Sequence, residues 1–144
     1  MTISQDFKCP CCSGMSYQDC CRIYHQGKEA ENALVLMRSR YSAYALNNVE
    51  YIMRTTHPRH PAVQNLQQWK EEILKFAMKT DFERLEVLDF QEQPDRATVV
   101  FIAYLKQDNE DMSFTERSFF SKVDGHWLYV NGDVFAGENR ELKV

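Results

Sequence analysis

The sequence predicts an α+β fold: three helices packed on an antiparallel sheet of about four strands, with a small cysteine-bearing unit in front. Three observations carry this. Apolar residues recur at spacings of three and four between residues 29 and 79. From Phe82 onward the period drops to two. All five cysteines lie within residues 9–21. Helices first and strands afterwards is an α+β order, not the alternation of a parallel sheet.

The first 26 residues are polar and show little apolar periodicity. Gln26, Gly27 and Lys28 form a short joint to the first helix. Ala30, Leu34, Met37, Tyr41 and Tyr44 mark that amphipathic helix over 29–46, which Asn47-Asn48 ends or kinks. Val49, Ile52 and Met53 read as a short second helix. Pro58 and Pro61 break the chain after it, because each restricts its own φ and the residue before it. Leu66, Trp69, Ile73, Phe76 and Ala77 mark a third helix over 64–79, with Lys70, Glu71, Glu72 and Lys75 opposite.

In the second half, Leu85, Val87 and Asp89 alternate against Glu86 and Leu88. Residues 98–105 form a strong strand whose Val99-Val100-Phe101-Ile102 run implies burial on both faces. Residues 107–111 read as an acidic hairpin loop. Residues 113–123 make a third strand. Asp124-Gly125 is a two-residue turn, and 126–130 is the fourth strand. The core of these helices and strands is expected wholly within residues 29–135, so this domain should fold without the cysteine unit.

The chain has 144 residues, 44% hydrophobic and 26% charged, enough for a packed core. Lys plus Arg is 17 and Asp plus Glu 21, a net charge of -4 that gives no support to a duplex-wide phosphate binder. That total averages two halves. Residues 1–80 hold ten basic and seven acidic groups, net +3; the remainder is net -7. No apolar run approaches the 18 residues of a membrane span. Residues 1–8 are polar and lack a signal-peptide apolar region, so a cytoplasmic address is expected.

Cys9, Cys11, Cys20 and Cys21 are the candidate metal ligands. A C-x-C pair can chelate one ion from a tight turn, and Pro10 stiffens that turn. Ser13-Gly14 reverses the chain, and the intervening residues return Cys20-Cys21 to the metal. Four thiolates suit tetrahedral zinc, and Lys8 and Arg22 flank them with compensating charge. A redox pair at Cys9 and Cys12 lacks the strand-helix context of such sites. An iron–sulfur cluster and a disulfide knot are the other readings.

The run Cys9-Pro10-Cys11-Cys12-Ser13-Gly14-Met15-Ser16-Tyr17-Gln18-Asp19-Cys20-Cys21 resembles a SEC-C motif, the small zinc finger at the C-terminus of the SecA translocation ATPase. The family pattern places the ligands at Cys9, Cys11, Cys20 and Cys21. It has Gly where this chain has Cys12, and Lys where it has Met15. The run Leu36-Met37-Arg38-Ser39-Arg40-Tyr41-Ser42-Ala43-Tyr44, with Tyr51 and Thr56-His57-Pro58, resembles the bacterial YchJ family. That resemblance implies a finger over 1–26 and a nuclear transport factor 2-like domain over 27–144, in which a curved sheet wraps helices around a conical pocket. Many family members carry a second finger at the C-terminus; the tail over 135–144 has no cysteine.

Several polar and aromatic residues are candidates for that pocket. Arg38 and Arg40 are two apart on the first helix, so they point to different sides, and one could enter the cavity. Tyr41 and Tyr44 share a face. His57 and His60 flank Pro58 in a rigid loop. Trp69 and Trp127 are large apolar groups for core or cavity, and His126 should face away from Trp127. An enzyme of this fold carries a His–Asp pair or an Asp and a Tyr deep in the cavity, which makes Asp89, Tyr104, His57 and Arg38 the residues to place. No Ser–His–Asp order, Gly-rich phosphate loop or H-E-x-x-H motif occurs.

The leading functional expectation is a zinc-binding adaptor that contacts a protein partner through the finger, as the SecA finger docks a chaperone. A small-molecule isomerase, dehydratase or hydrolase in the cavity is the second. A purely apolar, filled cavity would remove it. An RNA- or ribosome-associated factor is the third, resting on the net +3 of residues 1–80, whose basic residues are dispersed apart from one short cluster, Arg38 and Arg40. A homodimer through a sheet face bearing Phe114, Phe119 and Trp127 is compatible with the first.

Overall fold

The computed structural model describes residues 7–144. Residues 1–6, most of the polar N-terminal stretch, lie outside the described residues. The cysteine unit opens with a small reversal. Lys8 pairs with Ser16, Cys9 N–H donates to Met15 C=O (3.0 Å), and Tyr17 N–H to Phe7 C=O (2.8 Å). A single 3-10 turn over Tyr17–Asp19, capped by Ser16, leads into the short helix α1 (Cys21–His25).

Helix α2 spans Ala33–Ala45. It starts later than its apolar spacing suggests because the Asn32 side chain accepts from Val35 N–H (2.8 Å) and fixes the first turn. Asn47 at φ 59° ends it, and Asn48 caps α3 (Val49–Arg54) in the same way. His60 Nδ1 accepts Ala62 N–H and caps a 3-10 turn over Pro61–Gln64. Asn65 then caps α4 (Leu66–Met78).

The sheet comprises β1 (Asp81–Glu92), β2 (Arg96–Gln107), β3 (Glu110–Asp111), β4 (Phe114–Val123) and β5 (His126–Ala136). Its order is β1-β2-β4-β5, all antiparallel, with β3 paired to the end of β2. The expected acidic loop is tighter than predicted. Asp108 and Asn109, both at positive φ, make a two-residue turn, and Glu110 and Asp111 already pair with β2. The turn at Asp124-Gly125 also has both residues at positive φ. Register shifts in β1 and β4–β5 bend the sheet into an open curve around the helices.

Alternation on β2 divides the two faces. Ala97, Val99, Phe101, Ala103 and Leu105 face the helices and join the main core. Val100 and Ile102 point the other way and are also fully buried. The C-terminal segment accounts for this. It runs across the outer face, where Asn139 N–H donates to Thr115 Oγ1 (2.8 Å), Arg117 Nε to Lys143 C=O (2.8 Å) and Val144 N–H to Asp89 Oδ2 (3.0 Å). Thr115 and Arg117 are the register partners of Ile102 and Val100.

Candidate metal centre and cavity

The sulfur atoms of Cys9, Cys11, Cys20 and Cys21 all lie within 4.8 Å of one another. Two of the pairs are 3.6 Å (Cys11–Cys20) and 4.0 Å (Cys20–Cys21) apart. A tetrahedron with Zn–S near 2.3 Å has edges of about 3.8 Å, so the donor set fits a four-thiolate ion. The thiols titrate as one crowd. Hydrogen bonds from Cys21 and Cys9 pull Cys11 far below the usual thiol range. Hydrogen bonds with Cys11 and Cys9, together with burial, push Cys21 far above it, and burial raises Cys20 to about 11. Four thiolates this close would repel one another, a cost that a cation bound among them offsets.

The rest of the shell comes from both the finger and α2. Ser13 Oγ is 3.2 Å from Cys20 Sγ. Ser42 Oγ donates to Cys21 Sγ (3.2 Å) and lies 3.3 Å from Cys9 Sγ. Arg38 Nη1 donates to Cys11 C=O (2.7 Å). His25 fills the seam as a neutral ring: Nδ1 accepts Tyr17 O–H (2.6 Å) and Nε2–H donates to Ser39 C=O (2.8 Å). Burial lowers its pKa in keeping with that tautomer. The core cluster runs without a break through Cys9, Cys11, Tyr17 and Cys21 to Leu36, Met37 and Ile52.

The other face of α2 borders a cavity of about 460 Å³, closed by α4 and the concave side of the sheet. Its walls are largely aromatic, including Tyr41, Tyr44, Trp69, Phe76 and Phe101. Glu116, from the helix-facing row of β4, projects among them. Its Oε2 accepts from Ser118 Oγ and from Tyr129 O–H (3.2 Å). Burial pushes its carboxyl above the usual range, against the lowering effect of these two bonds. A Cβ at Gly132, on the neighbouring strand, would stand 2.6 Å from Glu116 Oε2, so glycine there makes the room.

The model for the family described as "YchJ, middle NTF2-like domain" matches residues 32–132. The chain belongs to the YchJ family. A UPF0225 protein of Actinobacillus succinogenes is 36% identical over 129 residues, covering 88% of this chain and 81% of that protein. A UPF0225 protein of Yersinia pestis (strain Pestoides F) is 39% identical, covering 86% and 81%. Among solved structures, a SEC-C motif containing protein from Rhodopseudomonas palustris superposes with a TM-score of 0.75 at 34% identity, covering 88% of this chain and 98% of that one. One from Psychrobacter arcticus gives 0.73 at 33%, covering 91% and 84%. The architecture is thus the nuclear transport factor 2-like cone that the YchJ resemblance implied.

The YchJ and SEC-C setting clarifies Cys12. Its φ is 65°, the left-handed region that glycine occupies without strain, which is why the SEC-C pattern carries Gly there. Its exposed thiol turns to Pro10 C=O (3.6 Å) and stands outside the four-sulfur cluster. Met15, at the pattern's Lys position, is half exposed.

Of the pocket candidates, Arg40, Tyr41 and Trp69 line the cavity. Arg40 is buried, and its Nη1 is bound to Ile52 C=O and to the hydroxyls of Thr55 and Thr56, closing the end of α3. Five candidates stand outside the cavity. Arg38 holds the finger instead. Alternation alone puts Asp89 in the row of Leu85 and Val87; the bulge between Val87 and Asp89 turns it to the outer face, where it meets the tail. Tyr104 is in the outward row of β2 and bonds Glu86 and Arg140. His57 Nδ1 accepts Arg59 N–H (3.0 Å) in its own turn. Trp127 is a buried core residue under Lys122, and His126 on the opposite side is exposed and pairs with Glu29 (2.9 Å).

Three further expectations change. The core is not confined to residues 29–135, since the cysteine unit contributes to it. Phe114 and Trp127 face the helices while Phe119, paired with Thr98, faces out, so the three share no dimer face. Arg38 and Arg40 are both engaged internally, so the one short basic cluster of the positively charged half is not a free surface. Glu116 is absent from the sequence-derived candidates, although Phe114-x-Glu116-x-Ser118-x-Phe120 puts it on the apolar row by simple alternation.

Proposed function

We propose that this chain is a zinc-binding adaptor, with one structural zinc held by Cys9, Cys11, Cys20 and Cys21 and a finger surface that docks a protein partner. The convergence of four sulfurs in a volume that matches one tetrahedral ion carries the reading. The finger over 1–26 is too small to bury a core of its own, so the metal and α2 make it a rigid platform. That platform exposes Met15 (50%) and Ile23 (40%), with the exposed cations Lys8 and Arg22 on the same small unit. Exposed apolar side chains beside cations on one small rigid unit are a composition suited to protein docking. A reducing, cytoplasmic address would keep the thiols available for zinc. No helix of the described residues is long and apolar enough to cross a membrane.

The test is in-cell crosslinking followed by mass spectrometry, with the zinc-loaded chain and a Met15→Glu/Ile23→Glu variant of equal stability. The proposal expects a defined protein set joined to the finger and lost in the variant. The same set recovered with both would refute partner contact through this surface.

A further inference from the structure

The cavity stands apart from the finger and has its own chemistry. Glu116 Oε2 takes both hydrogen bonds that the protein offers this carboxylate, whereas Oε1 has no hydrogen-bond partner among the described residues. Placing a carboxylate in an aromatic chamber costs several kcal/mol unless something compensates it. Two hydroxyls and the space left by Gly132 hold it in place there, so the site is built rather than accidental.

Charge and shape narrow the occupant. Glu72, exposed on α4, adds a second carboxylate to the lining. One guanidinium, Arg40, lines the cavity with these two acids. Its Nη1 is committed to three acceptors at the end of α3, and its plane stands 4.6 Å from the Tyr129 ring centre. Those acceptors are neutral, so Arg40 keeps its charge, and two carboxylates against one guanidinium leave the lining with a formal charge of -1. The aromatic walls present ring faces and edges, and ring faces attract cations. A volume of about 460 Å³ lies in the ordinary range for a small organic ligand.

We propose that this cavity binds a small organic cation, a protonated amine on an apolar or aromatic body, with Glu116 Oε1 as its counter-charge. The body packs against Trp69, Phe76 and Phe101, and the ammonium donates to Oε1 with Tyr44 and Tyr129 nearby. Gly132 is a positioning residue, since it lets the carboxylate reach its two hydroxyls.

The experiment uses the full, zinc-loaded chain and three probes of one shape: 2-phenylethylammonium, 2-phenylethanol and 3-phenylpropionate. Calorimetry gives the affinity, and Trp69 fluorescence with amide chemical shifts on β4 and α4 gives the place. The ammonium binds at least about tenfold tighter than the alcohol, and the carboxylate binds weakest. Glu116→Gln loses at least about tenfold for the ammonium and little for the alcohol, with an unchanged melting midpoint. If Glu116→Gln does not fold, Gly132→Ala displaces the same carboxylate and gives the same loss. Equal affinity for all three probes, preference for the carboxylate, ammonium binding indifferent to the variants, or no saturable binding at millimolar concentration would each overturn the proposal.

Discussion

At Ser42 one hydroxyl lies within 3.3 Å of two cysteine sulfurs that are 33 and 21 residues away in sequence. Second-layer partners of this kind typically change metal affinity by about 10–100-fold when removed. Ser42→Ala should weaken zinc binding by that order, measured by competition with a chromophoric chelator, while the far-ultraviolet spectrum stays unchanged. An unaltered affinity would show that the hydroxyl only fills space. The four cysteines were legible from spacing because chelation needs ligands on short loops. Ser42 was not, because nothing local marks a contact across so long a stretch of chain. Glu116 lay between these cases: its row, with Ser118 two residues on, was readable from alternation, but its second hydroxyl partner, Tyr129, depends on how β5 meets β4.

Among the elements, helices and turns were the most legible, since apolar spacing marks the helices and Asn47, Asp124 and Gly125 turn by local chemistry; the helix starts themselves were not, because the caps at Asn32 and Asn65 cut in after the starts that spacing predicts. The bulge at Val87/Asp89 was not, because two bulged residues against one look like ordinary alternation interrupted. The tail over 137–144 was also unreadable. It has little periodicity, yet it covers Val100 and Ile102, whose double burial the apolar run on β2 did announce. Deleting residues 138–144 uncovers these two side chains, and burial of a Val or Ile stabilises by about 1.5–3 kcal/mol each. The unfolding free energy in urea should therefore fall by about 3 kcal/mol, after allowance for partial re-covering. A truncated chain as stable as the full one would mean that something other than the tail covers this face.

Across the whole molecule, α2 is the common wall. One side carries Arg38, Ser39 and Ser42 to the metal centre, and the other carries Arg40, Tyr41 and Tyr44 to the cavity. The seam between finger and cone depends on neutral His25. Its folded pKa lies below its ordinary value of 6.5, so the unfolded chain binds more protons in the interval between them. The stabilisation from His25 is present above pH 6.5 and is lost as pH falls through the folded value. With zinc saturating, the slope of stability against pH below 6.5 should shrink in His25→Asn; an unchanged slope would assign the acid sensitivity to other groups. The central claim is that Cys9, Cys11, Cys20 and Cys21 hold one zinc that belongs to the same core as the helices. Zinc content per chain, by elemental analysis of metal-replete protein with Cys11→Ser and Cys12→Ser beside it, tests it most directly. The expected result is one zinc in the native chain and in Cys12→Ser, and loss in Cys11→Ser together with a lower melting midpoint of the entire molecule. A native chain without zinc, or loss of zinc from Cys12→Ser with the fold intact, would contradict it.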